Sequence, residues 1–295
     1  MLAIFAFFLA ALTPQQRAID FLSREVPRWA RENHCYSCHN NGDAARALYL
    51  AKQREYVVPP ESMADTSAWL QQLAKWNEIH GNPAASDRKL ARIQFAAALA
   101  EAYRTGAIRN RQALVAAAEA LLTWQDANGS WVVDTGGLPG APATYGTALA
   151  TYMTRRTLET AGRARFAQPI ARANQWFASA SPGSLVDAAA ILLALPGNRK
   201  CLDWILSAQT SDGGWGPQPK MPAEAFDTAL AMLALHASGR TQPLARARSL
   251  LLAMQDESGA WPETTRPAGG HSYAEYISTA GWVVYALLTT DAQRQ

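Results

Sequence analysis

The chain has 295 residues, 49% hydrophobic and 17% charged, with 27 basic against 24 acidic side chains and a net charge of +3. This length can bury one large core, and so little charge argues against a disordered or coiled-coil chain. No long basic run exists to bind nucleic acid, and the longest apolar run, residues 2–12, falls short of the ~20 residues of a membrane span.

In chain order, Leu2 to Leu12 (LAIFAFFLAAL) comes first. It reads as the apolar centre of a secretory signal peptide, with Ala10 and Ala11 as small residues near a cleavage site. The expectation is an exported, periplasmic protein whose residues 1–13 are the signal. No Lys or Arg precedes the run, and Pro14 blurs the cleavage position. An uncleaved anchor or a buried N-terminal helix are the alternatives.

Cys35-Tyr-Ser-Cys38-His39 follows, within a segment spanning 33–43. Cys-x-x-Cys-His is the attachment signature of c-type haem. Two thiols three apart on a turn can each add to one vinyl group of a porphyrin, and the adjacent imidazole can ligate the iron. The reading predicts one covalent haem c on Cys35 and Cys38, with His39 as proximal ligand, and electron transfer to a redox partner protein. Covalent attachment outside the cytoplasm ties this reading to export. A Cys35–Cys38 disulfide suits the same compartment. Zinc would need two ligands more, from residues such as His34 or Cys201. Unused cysteines in a helix are the remaining alternative. Met63, after Pro59-Pro60-Glu61-Ser62, is the local candidate for a distal ligand, and equally reads as a core residue at a helix start. His80, Met153, Met221, Met232 and His271 are further candidates. An open sixth position would favour small-ligand binding or peroxidase-like chemistry.

Beyond this point the chain repeats itself. Gln125-DAN-Gly129-Ser-Trp131, Gln209-TSD-Gly213-Gly-Trp215 and Gln255-DES-Gly259-Ala-Trp261 share Gln-x-x-x-Gly-x-Trp. A degenerate copy, Trp176-FASA-Ser181, aligns with Trp204-ILSA-Gln209. Each copy precedes a second matched segment: Thr147-Ala-Leu-Ala150, Asp187-Ala-Ala-Ala190, Thr228-Ala-Leu-Ala231 and Ser278-Thr-Ala280. Ile93–Tyr103, Ala113–Trp124 and Ala245–Met254 carry Leu and Ala at helical spacing, and no stretch alternates with period two. The glycines are placed just past helix ends, where a left-handed residue is wanted. Each repeat is helix, Gly-Trp loop, helix. Residues 14–295 are expected to form one all-α domain of six helix pairs.

The spaced motif, with its Thr-Ala-Leu helix, resembles the repeat of squalene–hopene cyclases and protein prenyltransferase β subunits. The resemblance runs from about Ala113 to Leu288 and implies an α/α toroid of two concentric helix layers, with the Gln and Trp clamping neighbouring helix ends. Cys-x-Ser-Cys-His-Asn-Asn before an Ala-rich helix, Ala44–Lys52, also resembles exported bacterial proteins that join a c-haem motif to squalene-cyclase-like repeats. The cyclase resemblance implies a proton-donating Asp in the middle of Asp-x-Asp-Asp-Thr-Ala. The matching stretch is Glu224-Ala225-Phe226-Asp227-Thr228-Ala229, with Phe226 at the donor position. A benzene ring has no proton to give, which disfavours class II cyclisation and leaves Glu224 and Asp227 as weak catalytic candidates. Cys201 lacks the Asp-x-Cys context of a prenyltransferase zinc site. Tyr145, Phe226, Asp227, Tyr276 and Trp282 fall at or near inner-helix starts. They are expected either to line a cavity for an isoprenoid or another apolar molecule, or to fill the ring's centre.

Overall fold

A computed structural model describes residues 12–77 and 87–291. The signal-peptide reading, apart from its last two residues, and the His80 candidate lie outside them.

Twelve α-helices and no strand occur among the described residues: α1 Pro14–Asn33, α2 Ala45–Gln53, α3 Ala64–Leu70, α4 Arg88–Arg104, α5 Arg111–Leu122, α6 Thr147–Gly162, α7 Ala167–Ser179, α8 Leu185–Ala194, α9 Arg199–Ser207, α10 Ala225–Ala237, α11 Leu244–Met254 and α12 Tyr273–Thr289. A π-helical turn, Cys38–Ala44, runs directly into α2. Polar side chains start the helices by satisfying their free N–H groups. Asn110 accepts from Ala113 N at 3.1 Å, and Asn198 does the same for Cys201 N at 3.0 Å. Ser184 caps α8 and Ser272 caps α12.

Burial sorts the helices into two layers. Outer helices bury one stripe, such as Ile170, Ala173 and Phe177 on α7. On α10 residues 225–235 are all buried, as are 277–288 on α12, because these helices have protein on every side. The even-numbered helices form the inner layer. Each packs on the next through α4, α6, α8, α10 and α12, and α12 packs back on α2 and its π-helical turn, so the ring closes. The expected α/α toroid is the observed fold.

The Gly-Trp loops connect the layers as the repeat resemblance implies. The indole N–H of Trp131, Trp215 and Trp261 donates to Leu121 O, Ile205 O and Leu251 O at 2.8, 2.7 and 2.6 Å. The Gln amides hold the loop and the next outer helix together. Gln125 Nε2 reaches Gly129 O and Pro169 O, Gln209 Nε2 reaches Gly213 O and Pro243 O, and Gln255 Nε2 reaches Gly259 O and Pro14 O. The three glycines have φ of +94°, +98° and +96°. They lie several residues beyond the helix ends, inside the turn, where the following outer helix passes too close for a side chain. All these long loops gather at the N-terminal end of the inner helices. Four or six residues suffice at the other end, as in 163–166, 195–198 and 238–243.

Candidate functional site

At the N-terminal end of the ring, buried acids meet aromatic rings. Asp43 comes from the π-helical turn and is 1% exposed. Its Oδ2 accepts from Gln94 Nε2 at 2.9 Å and Ser278 Oγ at 2.8 Å, while Oδ1 takes the Tyr145 hydroxyl. Burial pushes the Asp43 carboxyl up to about 6, although Arg46 and these donors pull it back. Glu275 accepts from Ala143 N at 2.8 Å, and burial pushes it up to about 7 with help from the nearby Asp43 charge. Asp227 is fully buried. Burial drives its carboxyl well above the usual carboxylate range, opposed by the Arg266 guanidinium. Arg266 bridges it to Glu224, with contacts of 2.7 Å to Asp227 and 2.6 Å to Glu224. The two weak catalytic candidates are thus held together as a clamp on one arginine.

Three of the expected cavity residues, Tyr145, Phe226 and Trp282, pack edge-to-face on one another, with centroids 5.6 and 5.8 Å apart across Trp282. They fill this end of the ring. Tyr276 departs from the expectation. It packs edge-on against Phe21 of α1, and its hydroxyl meets Ser258 at 3.1 Å, so it faces the outer layer and not the cavity.

The space in the ring lies toward the other end, where the connections are short. A cavity of about 230 Å³ runs from partly exposed Arg156, His236 and Ala237 down to buried Trp282 and Arg46. Leu193, Leu233, Tyr152 and Tyr285 supply its walls. Arg46 lay outside the sequence expectations. An Arg three residues after an Asp reads as an ordinary surface pair on a helix, and only ring closure buries it.

The Cys-x-x-Cys-His segment leads into the ring from outside. His39 is 8% exposed, its imidazole edge-on to Trp29 at 4.9 Å and to Tyr273 at 5.6 Å. Its Nε2 is buried with no hydrogen-bond partner among the described residues, and burial pulls its pKa down to about 4, so the ring is neutral. A neutral imidazole with an orphaned nitrogen is what an iron ligand requires, and the donor set fits a haem in that respect. Burial and the Asp43 charge push the Cys38 thiol up to about 12, which makes it a poor free nucleophile. Cys35 lies on a separate pocket of about 240 Å³ with His34, Tyr36 and Trp69, and Tyr36 stacks on Trp69 at 4.4 Å.

The other ligand candidates are scattered. Met63 is 4% exposed, in the core at the start of α3. Met153 touches Arg46, Met232 is buried in α10, and Met221 is 44% exposed. His271 is a surface residue paired with Glu263 at 2.8 Å. Cys201 is buried on outer helix α9. No group of three or more His, Cys, Asp or Glu among the described residues could hold a metal ion, and no described helix is long and apolar enough to cross a membrane.

The fold is therefore the α/α toroid of the cyclase type, and the comparisons agree. No protein-family model matches the chain. A stretch is 36% identical over 97 residues to the squalene–hopene cyclase of Bradyrhizobium diazoefficiens, covering 28% of this chain and 15% of that enzyme. A probable squalene–hopene cyclase of Sinorhizobium fredii is 32% identical over 97 residues, with the same coverage. The match thus spans about one-seventh of these relatives' length. Among solved structures, the type II terpene cyclase MstE from Scytonema superposes with a TM-score of 0.55 at 13% identity, over 96% of this chain and 100% of that one. A wild-type glycosidase reaches 0.57 at 13% identity, over 92% and 96%. Part of the chain is thus squalene–hopene cyclase-like in sequence, and nearly all of it shares the fold.

Proposed function

We propose that the protein binds a small apolar molecule inside its squalene-cyclase-like ring and does not perform proton-initiated cyclisation. The observation that carries this reading is the ring cavity, walled by leucine and aromatic side chains. A dry cavity of ~150 Å³ holds benzene, so 230 Å³ suits a ligand of roughly nine or ten heavy atoms. That is the size of a monoterpenoid, far short of squalene. The chemistry of class II cyclisation lacks its donor at Phe226, and Arg266 occupies the adjacent Asp227. Trp282 forms part of the cavity wall, so its fluorescence reports occupancy. Geraniol should quench it saturably while squalene does not. A cyclic product from squalene would overturn the reading.

A second reading is favoured by the orphaned His39 Nε2. Here Cys35 and Cys38 hold a c-type haem and His39 ligates its iron, in an exported protein that serves a redox partner. The haem, when bound, would supply one-electron chemistry. Neutral His39, packed by Trp29 and Tyr273, would keep its nitrogen available without a competing proton. Intact mass and visible spectrum of protein made in a haem-attaching, exporting host test this. One added haem mass and a sharp reduced α-band support it. A colourless protein two hydrogens lighter would point to a disulfide and remove it.

A further inference from the structure

Arg46 stands at the floor of the ring cavity with its bonding incomplete. It is 2% exposed, and its guanidinium lies 3.9 Å from the ring centroid of Trp282 and 4.6 Å from that of Tyr285. Nη1 contacts Met153 Sδ at 3.3 Å. Nε and Nη2 are buried and have no hydrogen-bond partner, and no carboxylate lies within ion-pair distance among the described residues. Two charged donors without a hydrogen bond at this depth carry a desolvation cost, against which stand only the two aromatic faces and the more distant Asp43 and Glu101 charges.

The neighbouring charges do not supply the missing partner. Glu101 is engaged by Arg104 at 2.5 Å and Arg156 at 3.1 Å. Asp43, one turn before Arg46, already accepts from Tyr145, Gln94 and Ser278. Three guanidiniums therefore face two carboxylates, and the unmatched cation is the one on the cavity floor.

We propose that the ring cavity takes a small organic monocarboxylate, its carboxylate held by Arg46 Nε and Nη2 and its apolar body against Trp282, Tyr285, Leu193 and Leu233. Nε–H and Nη2–H form one edge of the guanidinium, two parallel donors that match the two oxygens of a carboxylate. The aromatic faces hold the guanidinium plane in place, and because both donors are buried a side chain of the cavity wall has to move aside as the carboxylate reaches them. A multiply charged phosphate would need more donors than this edge offers, inside walls that are largely apolar. The cavity size limits the body to one aromatic ring or a short chain. The inference rests on the ring cavity being the binding site, and it adds the head group.

Calorimetry on the full chain with benzoate and hexanoate, against benzamide and hexanol, tests it. The acids should bind at least tenfold more tightly than their neutral partners. Arg46→Met should abolish that difference, and Arg46→Lys should not restore it, since an ammonium cannot make the paired contact. If Arg46→Met does not fold, Leu233→Trp provides a second route, because it fills the cavity while keeping Arg46 and should block the acids. Equal binding of acids and neutral compounds overturns the head-group assignment and leaves the cavity reading standing. The same holds if Arg46→Met keeps the preference. Acid binding that survives Leu233→Trp overturns the location. No binding by any of the four overturns both.

Discussion

At the scale of single residues, the acids at the N-terminal end of the ring govern how stability responds to pH. Asp43 and Glu275 titrate at about 6 and about 7 in the fold, above their ordinary values of 3.8 and 4.5. Between those limits the folded chain holds protons that the unfolded chain has released. Stability contributed by these groups is therefore full at low pH and is lost as pH rises from about 4 to about 7. Glu101 works in the opposite sense. Its own burial favours the neutral acid, but Arg104 and Arg156 outweigh this and lower its pKa, so its contribution disappears as pH falls below about 4.5. Glu275→Gln keeps an oxygen for the Ala143 N–H and removes the charge. It should match the wild type at pH 4 and exceed it by about 3 kcal/mol at pH 8, read from urea unfolding at both pH values. Equal stability at pH 8 would mean that Glu275 ionises without penalty. At this end of the ring the sequence pointed to Glu224, Phe226 and Asp227, which stand in a spaced motif, and to Tyr145 and Trp282 near inner-helix starts. Asp43 and Arg46 stand three residues apart where the π-helical turn enters α2, an ordinary spacing, and Glu275 at the start of α12 joins them only when the ring closes, so no local motif marks the group.

Among the elements, the Gly-Trp loops were the most legible feature, since an indole and a left-handed glycine at fixed spacing leave few alternatives. Even the degenerate copy fell where it was expected, with Ser184 capping α8 in place of a full Gly-Trp loop. Less legible is which way a side chain points in the first turn of an inner helix, where neighbouring residues face opposite layers, and Tyr276 faces outward toward Phe21 for that reason. The π-helical turn was also hidden. Its Ser37 cap and the buried amides Asn40 and Asn41, which bond back to Glu25 O and Val26 O, form a tertiary arrangement that no periodicity announces. The glycine argument makes a prediction at this scale. A Cβ on Gly213 would sit 2.7 Å from Arg246 Cβ at a φ of +98°. Gly213→Ala should cost about 2–4 kcal/mol, from the left-handed backbone plus the forced shift of α11. A loss under 1 kcal/mol in thermal or urea unfolding would mean that the loop relaxes freely.

For the whole molecule, the decisive property is the seam where the last repeat meets the first helix. A stack of repeats with free ends unravels from them, since each unit contacts only its neighbours. This chain joins α12 to α1 and α2, and Gln255 reaches across to Pro14 O at 2.9 Å while Arg17 Nη2 donates to Gln255 Oε1 at 2.9 Å. The seam uses the same glutamine clamp as the interior junction at Gln209, so it should behave as one more repeat boundary and not as an end. Gln255→Ala removes the bonds to Gly259 O and Pro14 O and should cost about 1–3 kcal/mol, much as Gln209→Ala does. Both variants should unfold in urea in one transition, at a lower midpoint and with the wild-type slope, because the same surface is exposed each time. A reduced slope or a second transition for Gln255→Ala alone would show that the ring opens at the seam before the rest unfolds. The ring cavity would then be bounded by a weak joint, and ligand entry through the seam would compete with entry past Arg156 and His236.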